Sequence, residues 1–414
     1  MFHFRSALIA LALVTAGCAS TSPDDSSTPT TTDQGDASTT TQAAAAPPTD
    51  AAPASIGQIG FTEWSSFRGS QDRRAFDGEP EGNGAPQLLW QTSIGSVVES
   101  SPAVVDGVVI TGSFDNTIVA HLATTGEEVW RFDVGGLVRS SPAVVDGVVY
   151  VGADDDLFYA IDAATGQEIW RFALGGGGQQ SSPAVVDGVV YFGAFDRFVY
   201  ALDAATGAEI WSFETGAGML SSPLVVNGVV SIGSNDGVYY AIDAGTGDEV
   251  WRVQTSAPVF SSGAFVSAID EDTPSSIVFG SDDGRIRSVA ALDGELQWEV
   301  QTAGPVFATP AIADGIAYIG SRDGSFLAID VVTGGVIWST NLTEVLSSAA
   351  VTNDRIYVGS SDGNLHVLDR GTGDSLHQLP VGELVWTSPV IVESHLFFGA
   401  HDGNIHAYQL TDET

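Results

Sequence analysis

The chain has 414 residues and sets 14 cations, all of them Arg, against 52 Asp and Glu, for a formal charge of −38. Nucleic-acid affinity comes largely from cations that release counterions, so this charge argues against nucleic acid and against a bare anionic membrane surface as partners. With 43% hydrophobic residues, 48 Gly, 9 Trp, 9 Tyr and 20 Phe, the chain can bury a large core, and so much Gly with so few charges points to tight turns and an all-β fold.

Residues 1–17 read MFHFRSALIALALVTAG: one Arg, an apolar run from Ala7 to Val14, then small residues. This is a signal-peptide pattern, too short for a spanning helix. Cys18 is the only Cys, so an internal disulfide, a CxxCH haem attachment and a Cys-rich metal site are all excluded. Thr15-Ala16-Gly17-Cys18 resembles a lipoprotein lipobox, with Thr15 where Leu is usual. The resemblance implies lipidation of Cys18, and Ala19 after it would permit routing to the outer membrane; ordinary secretion is the alternative. Residues 18–58 are rich in Ser, Thr, Ala, Pro and Asp without bulky apolar clusters. Such a stretch cannot bury enough surface to fold. It reads as a disordered tether with an r.m.s. span of roughly 35 Å.

From residue 59 to residue 410 the sequence repeats. Gly closes one apolar strand eight times, at 112, 152, 193, 233, 280, 320, 359 and 399, an average step of 41 residues. Three residues after each Gly stands an Asp: Asp115, Asp155, Asp196, Asp236, Asp283, Asp323, Asp362 and Asp402. A Ser-Ser-Pro or a relative of it precedes each strand, and Trp90, Trp130, Trp170, Trp211, Trp251, Trp298 and Trp338 mark the unit ends, with His377 in the next slot. Each unit reads as four strands, the first of them Ser-Ser-Pro-Ala-Val-Val. Asp-Gly pairs such as Asp106-Gly107 supply the hairpin turns. Four-stranded units of this length repeated eight times predict an eight-bladed β-propeller. The Trp residues should lie on the outermost strands and wedge between blades. The strand around Trp90 should complete the last blade and close the ring, leaving no open edge.

Ala160–Trp170, AIDAATGQEIW, is similar to the tryptophan-docking motif of PQQ-like propeller repeats, as are Ala201–Trp211 and Ala241–Trp251. The opening Trp64-Ser-Ser-Phe-Arg-Gly69 fits the same family. Leu122 and Ala290 depart from the motif's Asp. Two branches of the family bear on function. Quinoprotein dehydrogenases hold PQQ and Ca²⁺ in the channel; they are usually longer and many carry a Cys pair. The other branch is the B-subunit lipoprotein of the outer-membrane β-barrel assembly machinery, a non-catalytic scaffold, which this chain resembles more in size and plan. That resemblance implies an exported, monomeric, lipid-anchored scaffold for other envelope proteins, bound by strand or loop contacts. Its place would be the periplasmic side of the outer membrane or the cell surface, with no cofactor. A PQQ- and Ca²⁺-dependent oxidoreductase or a small-ligand sensor is the alternative.

Function in a repeat protein should sit where the repeats differ. The residue before each Ser-Ser slot should face the channel mouth: Glu99, Arg139, Gln180, Leu220, Phe260, Phe307, Leu346 and Trp386. This lopsided ring, part polar and part apolar, suits a peptide or an amphipathic ligand. Glu99 and Arg139 could instead simply pair, and the aromatic residues could plug the channel. No Asp is expected to face the channel, so the Ca²⁺ ligand count looks short. The eight Asp are expected to cap their own turns. His366 and His406 replace Tyr159, Tyr200 and Tyr240, which suggests packing rather than metal binding. An insertion in the fifth unit, with Asp270, Glu271 and Asp272, lengthens the run from Gly263 to Gly280 to 17 residues, against 10 from Pro102 to Gly112. A lengthened loop on a rigid scaffold is a candidate partner contact.

Overall fold

The computed structural model describes residues 84–268 and 274–411. The leader, Cys18, the tether, residues 64–69, and Asp270, Glu271 and Asp272 lie outside the described residues. Among the described residues, eight four-stranded antiparallel sheets hold all the strands and no helix occurs. After β1 (Gln87–Ser93), the first blade is β2 (Ala103–Val105), β3 (Val108–Ser113), β4 (Thr117–Leu122) and β5 (Glu128–Asp133), side by side in that order. Six more blades repeat the pattern. The eighth draws three strands from the C-terminal side, Val390–Val392, His395–Gly399 and Asn404–Gln409, and β1 pairs with the last of them. Gly84 N extends the closure by donating to Thr411 O at 2.8 Å. The predicted propeller and its closure through Trp90 are both present.

The turns follow their sequence signals. Asp106 and Gly107 have φ of 51° and 76°, the left-handed pair that a type I′ hairpin turn requires.

The first strand of a blade is shorter than its sequence suggests. Ser100, Ser101 and Pro102 precede β2 instead of extending it. Their polar groups serve the neighbouring blade. Ser101 N donates to Ser141 Oγ, and the same bond recurs from blade to blade through 182, 222, 262, 309, 348 and 388, closing at Ser101 Oγ, with all eight distances between 2.9 and 3.3 Å. The partner hydroxyl often bonds inward: Gly112 N donates to Ser100 Oγ at 3.0 Å and Gly233 N to Ser221 Oγ at 3.1 Å. These buried backbone donors therefore find hydroxyl acceptors where no strand can supply them.

The repeated Gly residues reflect close approach between blades. A Cβ on Gly112 would sit 2.1 Å from Val138 Cγ1 of the next connection, and one on Gly399 2.3 Å from Val98 Cγ1 across the ring closure. The Trp wedges are also as expected. Seven indole Nε1 groups donate to a carbonyl of the following blade at 2.8 to 3.1 Å, beginning with Trp90 to Ala123. Each ring covers the Gly of the next Thr-Gly or Asp-Gly turn: Gly126, at φ +71°, would place a Cβ 2.6 Å from Trp90 Cε3. Blade eight has no such turn, because its outer strand arrives from the N-terminal side. That explains why His377, which faces blade eight, is not Trp.

The eight Asp residues do more than cap. In seven blades one carboxylate oxygen accepts the N–H two residues on, at 2.7 to 3.2 Å. The other oxygen also reaches the preceding inter-blade connection, as in Gly135 N to Asp155 Oδ2 at 2.7 Å. It further accepts the Tyr159, Tyr200 and Tyr240 hydroxyls at 2.6 to 2.8 Å. Burial, then the bond to Asp236, pushes the Tyr240 hydroxyl up to about 12, so it stays a donor. His366 and His406 take the tyrosine's place, each 3.0 Å from its Asp.

Trp298→Ala should lower the unfolding free energy by roughly 3–5 kcal/mol in urea denaturation, whereas His377→Ala should cost less than about 1 kcal/mol. Equal losses would contradict the docking account.

Candidate functional site

The channel mouth is assembled by a backbone rule that repeats around the ring. The N–H of the residue two after each strand-closing Gly donates to the connection that leads into the first strand of its own blade. Phe114 N bonds Val97 O at 3.0 Å, Asp154 N bonds Leu137 O at 2.9 Å, and His401 N bonds Leu384 O at 3.0 Å. Two residues beyond each of those carbonyls stands a mouth residue. Glu99, Arg139, Gln180, Leu220, Phe260, Phe307, Leu346 and Trp386 therefore converge, as expected. They line a cavity of about 240 Å³ whose floor is the ring of Ser101, Ser141, Ser182, Ser222, Ser262, Thr309, Ser348 and Ser388.

The two halves of the mouth differ in chemistry. On the polar side Arg139 Nε lies 3.4 Å from Glu99 Oε2 and its Nη1 lies 3.3 Å from Asp154 Oδ2. Its guanidinium also covers the Phe114 ring at 4.6 Å. Gln180 Nε2 donates to Asp154 Oδ1 at 3.1 Å, and His401 Nε2 lies 3.4 Å from Glu99 Oε1. On the apolar side Phe260 and Phe307 stack with centroids 4.8 Å apart. Trp386 packs edge-on against His401 at 4.6 Å and donates its indole N–H to Ser361 Oγ at 3.0 Å. The pairing of Glu99 with Arg139 is real, yet it forms part of a longer chain of charges.

Sequence reasoning missed one residue. Asp154 contacts two mouth residues, Arg139 and Gln180, although among the described residues no Asp lines the cavity itself. It belongs to a second ring, the residues just before the eight repeated Asp: Phe114, Asp154, Phe195, Asn235, Asp282, Arg322, Ser361 and His401. These positions vary as freely as the inner ring, and that variation was the signal that could have revealed them. The fifth-unit insertion falls between Ala264–Val266 and Ser276–Gly280, and its residues 269–273 lie outside the described residues.

Burial raises the Asp154 carboxyl above its ordinary range, while Arg139 and Gln180 pull it back down. A carboxyl raised in the folded state costs stability once it ionises. That loss is absent below the ordinary carboxylate range and grows as pH rises through the raised value. Arg139→Met removes the opposing cation, so Asp154 should rise further and the loss should deepen. Carboxyl-carbon NMR titration of both proteins checks this, and an unchanged or lower Asp154 value in the variant would contradict the pairing.

No curated protein matches the chain in sequence. Residues 82–316 match the family described as beta-alanine-activating enzyme, beta-propeller, and residues 282–412 match the one described as outer membrane protein assembly factor BamB. Among solved structures, BamB from Moraxella catarrhalis is 18% identical with a TM-score of 0.69, covering 78% of this chain and 100% of its own. Quinohemoprotein alcohol dehydrogenase from Comamonas testosteroni is 16% identical with a TM-score of 0.75, covering 85% of this chain and 81% of its own. The computationally designed Ika8 protein is 22% identical with a TM-score of 0.68, covering 78% of this chain and 100% of its own. At such identities these neighbours share the fold, and their functions differ. With its larger matched segment in a β-propeller family and its remainder in the BamB family, the chain belongs to the PQQ-like β-propeller repeat proteins.

Proposed function

We propose that this protein is an exported, non-catalytic propeller that binds other envelope proteins through its channel mouth. A lipid on Cys18 would hold it at the membrane, with the 18–58 tether between. The match of residues 282–412 to an outer membrane assembly factor supports a task in envelope protein assembly. The observation that carries the reading is the mouth itself: an open concavity, part polar and part apolar, built from the residues that break the repeat. Such a surface offers a partner segment both apolar area and orienting polar groups.

The residues present do not fit PQQ with Ca²⁺. Calcium takes about six to eight oxygen ligands. The two mouth carboxylates, Glu99 and Asp154, are both engaged by Arg139. Among the described residues no group of three or more His, Cys, Asp or Glu is arranged to hold a metal.

A photo-crosslinking amino acid at position 260 of the full chain, expressed in its own host, should capture an envelope protein. Arg139→Glu should abolish the capture, and the same label at the exposed Leu292, on the opposite face, should give none. Absence of any crosslink from the mouth would overturn the proposal. So would a saturable rise in melting temperature with PQQ plus Ca²⁺, since a ligand that binds only the folded state must raise it.

A further inference from the structure

Asp154 and Asp282 occupy the same ring position in blades two and five, but their surroundings differ. Around Asp154 the mouth supplies Arg139 and Gln180, and both contact its carboxylate. Asp282 is set by the same backbone bond, its N–H to Pro258 O at 2.9 Å, two residues before Phe260. The places that correspond to Arg139 and Gln180 are here Phe260 and Phe307, which have no group to donate. Asp282 Oδ1 is buried with no hydrogen-bond partner among the described residues, and so is Asn235 Oδ1 at the same position one blade earlier. A buried acceptor left without a donor is costly, and native structures seldom keep one without a reason.

Around Arg139 the molecule already shows the complete arrangement: a guanidinium, a carboxylate (Asp154) and an aromatic face (Phe114). Blades five and six present the carboxylate and the aromatic faces without a guanidinium of their own bonded to that carboxylate. We infer that this side of the mouth receives a cationic side chain, Arg or Lys, from the partner protein, with Asp282 as counter-ion and Phe260 as its π surface. The inference rests on the protein-binding reading above and names the chemistry of the partner. Cations sit favourably over aromatic faces, and the formal charge of −38 attracts them from a distance. Arg322 already lies over Phe307 at 5.1 Å and Phe260 stacks on the same ring, so Phe260 is the ring left for an incoming cation. Arg322 is bound to Glu344 and forms no ion pair with Asp282, although its charge partly offsets that of the carboxylate. Burial nonetheless raises the Asp282 carboxyl, a strain that a bound cation relieves.

The test titrates the full chain with acetyl-Gly-Arg-Gly-amide, acetyl-Gly-Lys-Gly-amide and the citrulline analogue, which keeps the shape of Arg without its charge. Calorimetry should give saturable binding of the two cationic peptides, at least about tenfold tighter than the citrulline peptide. Asp282→Asn should remove that preference. It should unfold no earlier than the parent, because it replaces a charge held at a penalty. Glu295→Gln, an exposed acid on the opposite face, should change nothing. Equal binding of the Arg and citrulline peptides, no binding of either cation, or full binding to Asp282→Asn would overturn the inference. A mouth crosslink at position 260 that survives Asp282→Asn would overturn it too while leaving the scaffold reading intact. Absence of that crosslink in the parent would instead remove the scaffold reading.

Discussion

Everything in this molecule depends on closing a ring of eight sheets that share no strand ladder with one another. Between blades no ladder runs, so side chains supply most partners, alongside single backbone bonds from the connections such as Val138 N to Ser113 O. The Ser-Ser slot passes an N–H from each blade to a hydroxyl of the next and returns to its start at Ser388 and Ser101. The Trp on seven of the eight outer strands fastens the rim, donating to the next blade and covering its turn glycine. The pairing of β1 with Asn404–Gln409 makes the eighth sheet from both ends of the propeller, which gives it the same four strands as the other seven.

This closure divides the residues into two populations. Ser, Gly, Asp and Trp at the repeated positions are each committed to a contact that every blade needs. They are poor candidates for chemistry, however suggestive eight carboxylates in a ring look. The residues left free to vary are those that the backbone directs into the mouth but that no blade needs for its neighbour. There the eightfold symmetry breaks, with charges gathered around Arg139 and aromatic rings around Phe260. The same fold serves an assembly factor, an alcohol dehydrogenase and a designed protein, so the propeller by itself does not set function.

Much of this was legible in the sequence, because a contact made eight times leaves a mark eight times. The spacing of Gly, Asp and Trp predicted blade number, turn type and ring closure, and the residue before each Ser-Ser slot did lead to the mouth. Two features were hidden. The Ser-Ser pair reads as strand, since only the neighbouring blade reveals that its donors point sideways. Asp154 and Asp282 each stand beside an Asp that every turn requires, so they read as turn residues; that Asp154 contacts Arg139 and Gln180 of the mouth is a matter of tertiary register. The His377 exception is intelligible only once blade eight is seen to lack the turn that a Trp would cover.

The central claim is that the aromatic residues of the mouth form a binding surface and are not a plug that holds the ring together. Phe260, Phe307 and Trp386 are only partly buried, unlike Trp298, which is buried and bonded across a blade joint. Urea unfolding of the triple variant Phe260→Ala, Phe307→Ala, Trp386→Ala measures the difference directly. The account predicts an unfolding free energy within about 2–3 kcal/mol of the parent for all three changes together, since side chains outside the core contribute little. A loss approaching roughly 3–5 kcal/mol for each ring, the cost of emptying a core site, would contradict it and make the mouth part of the scaffold.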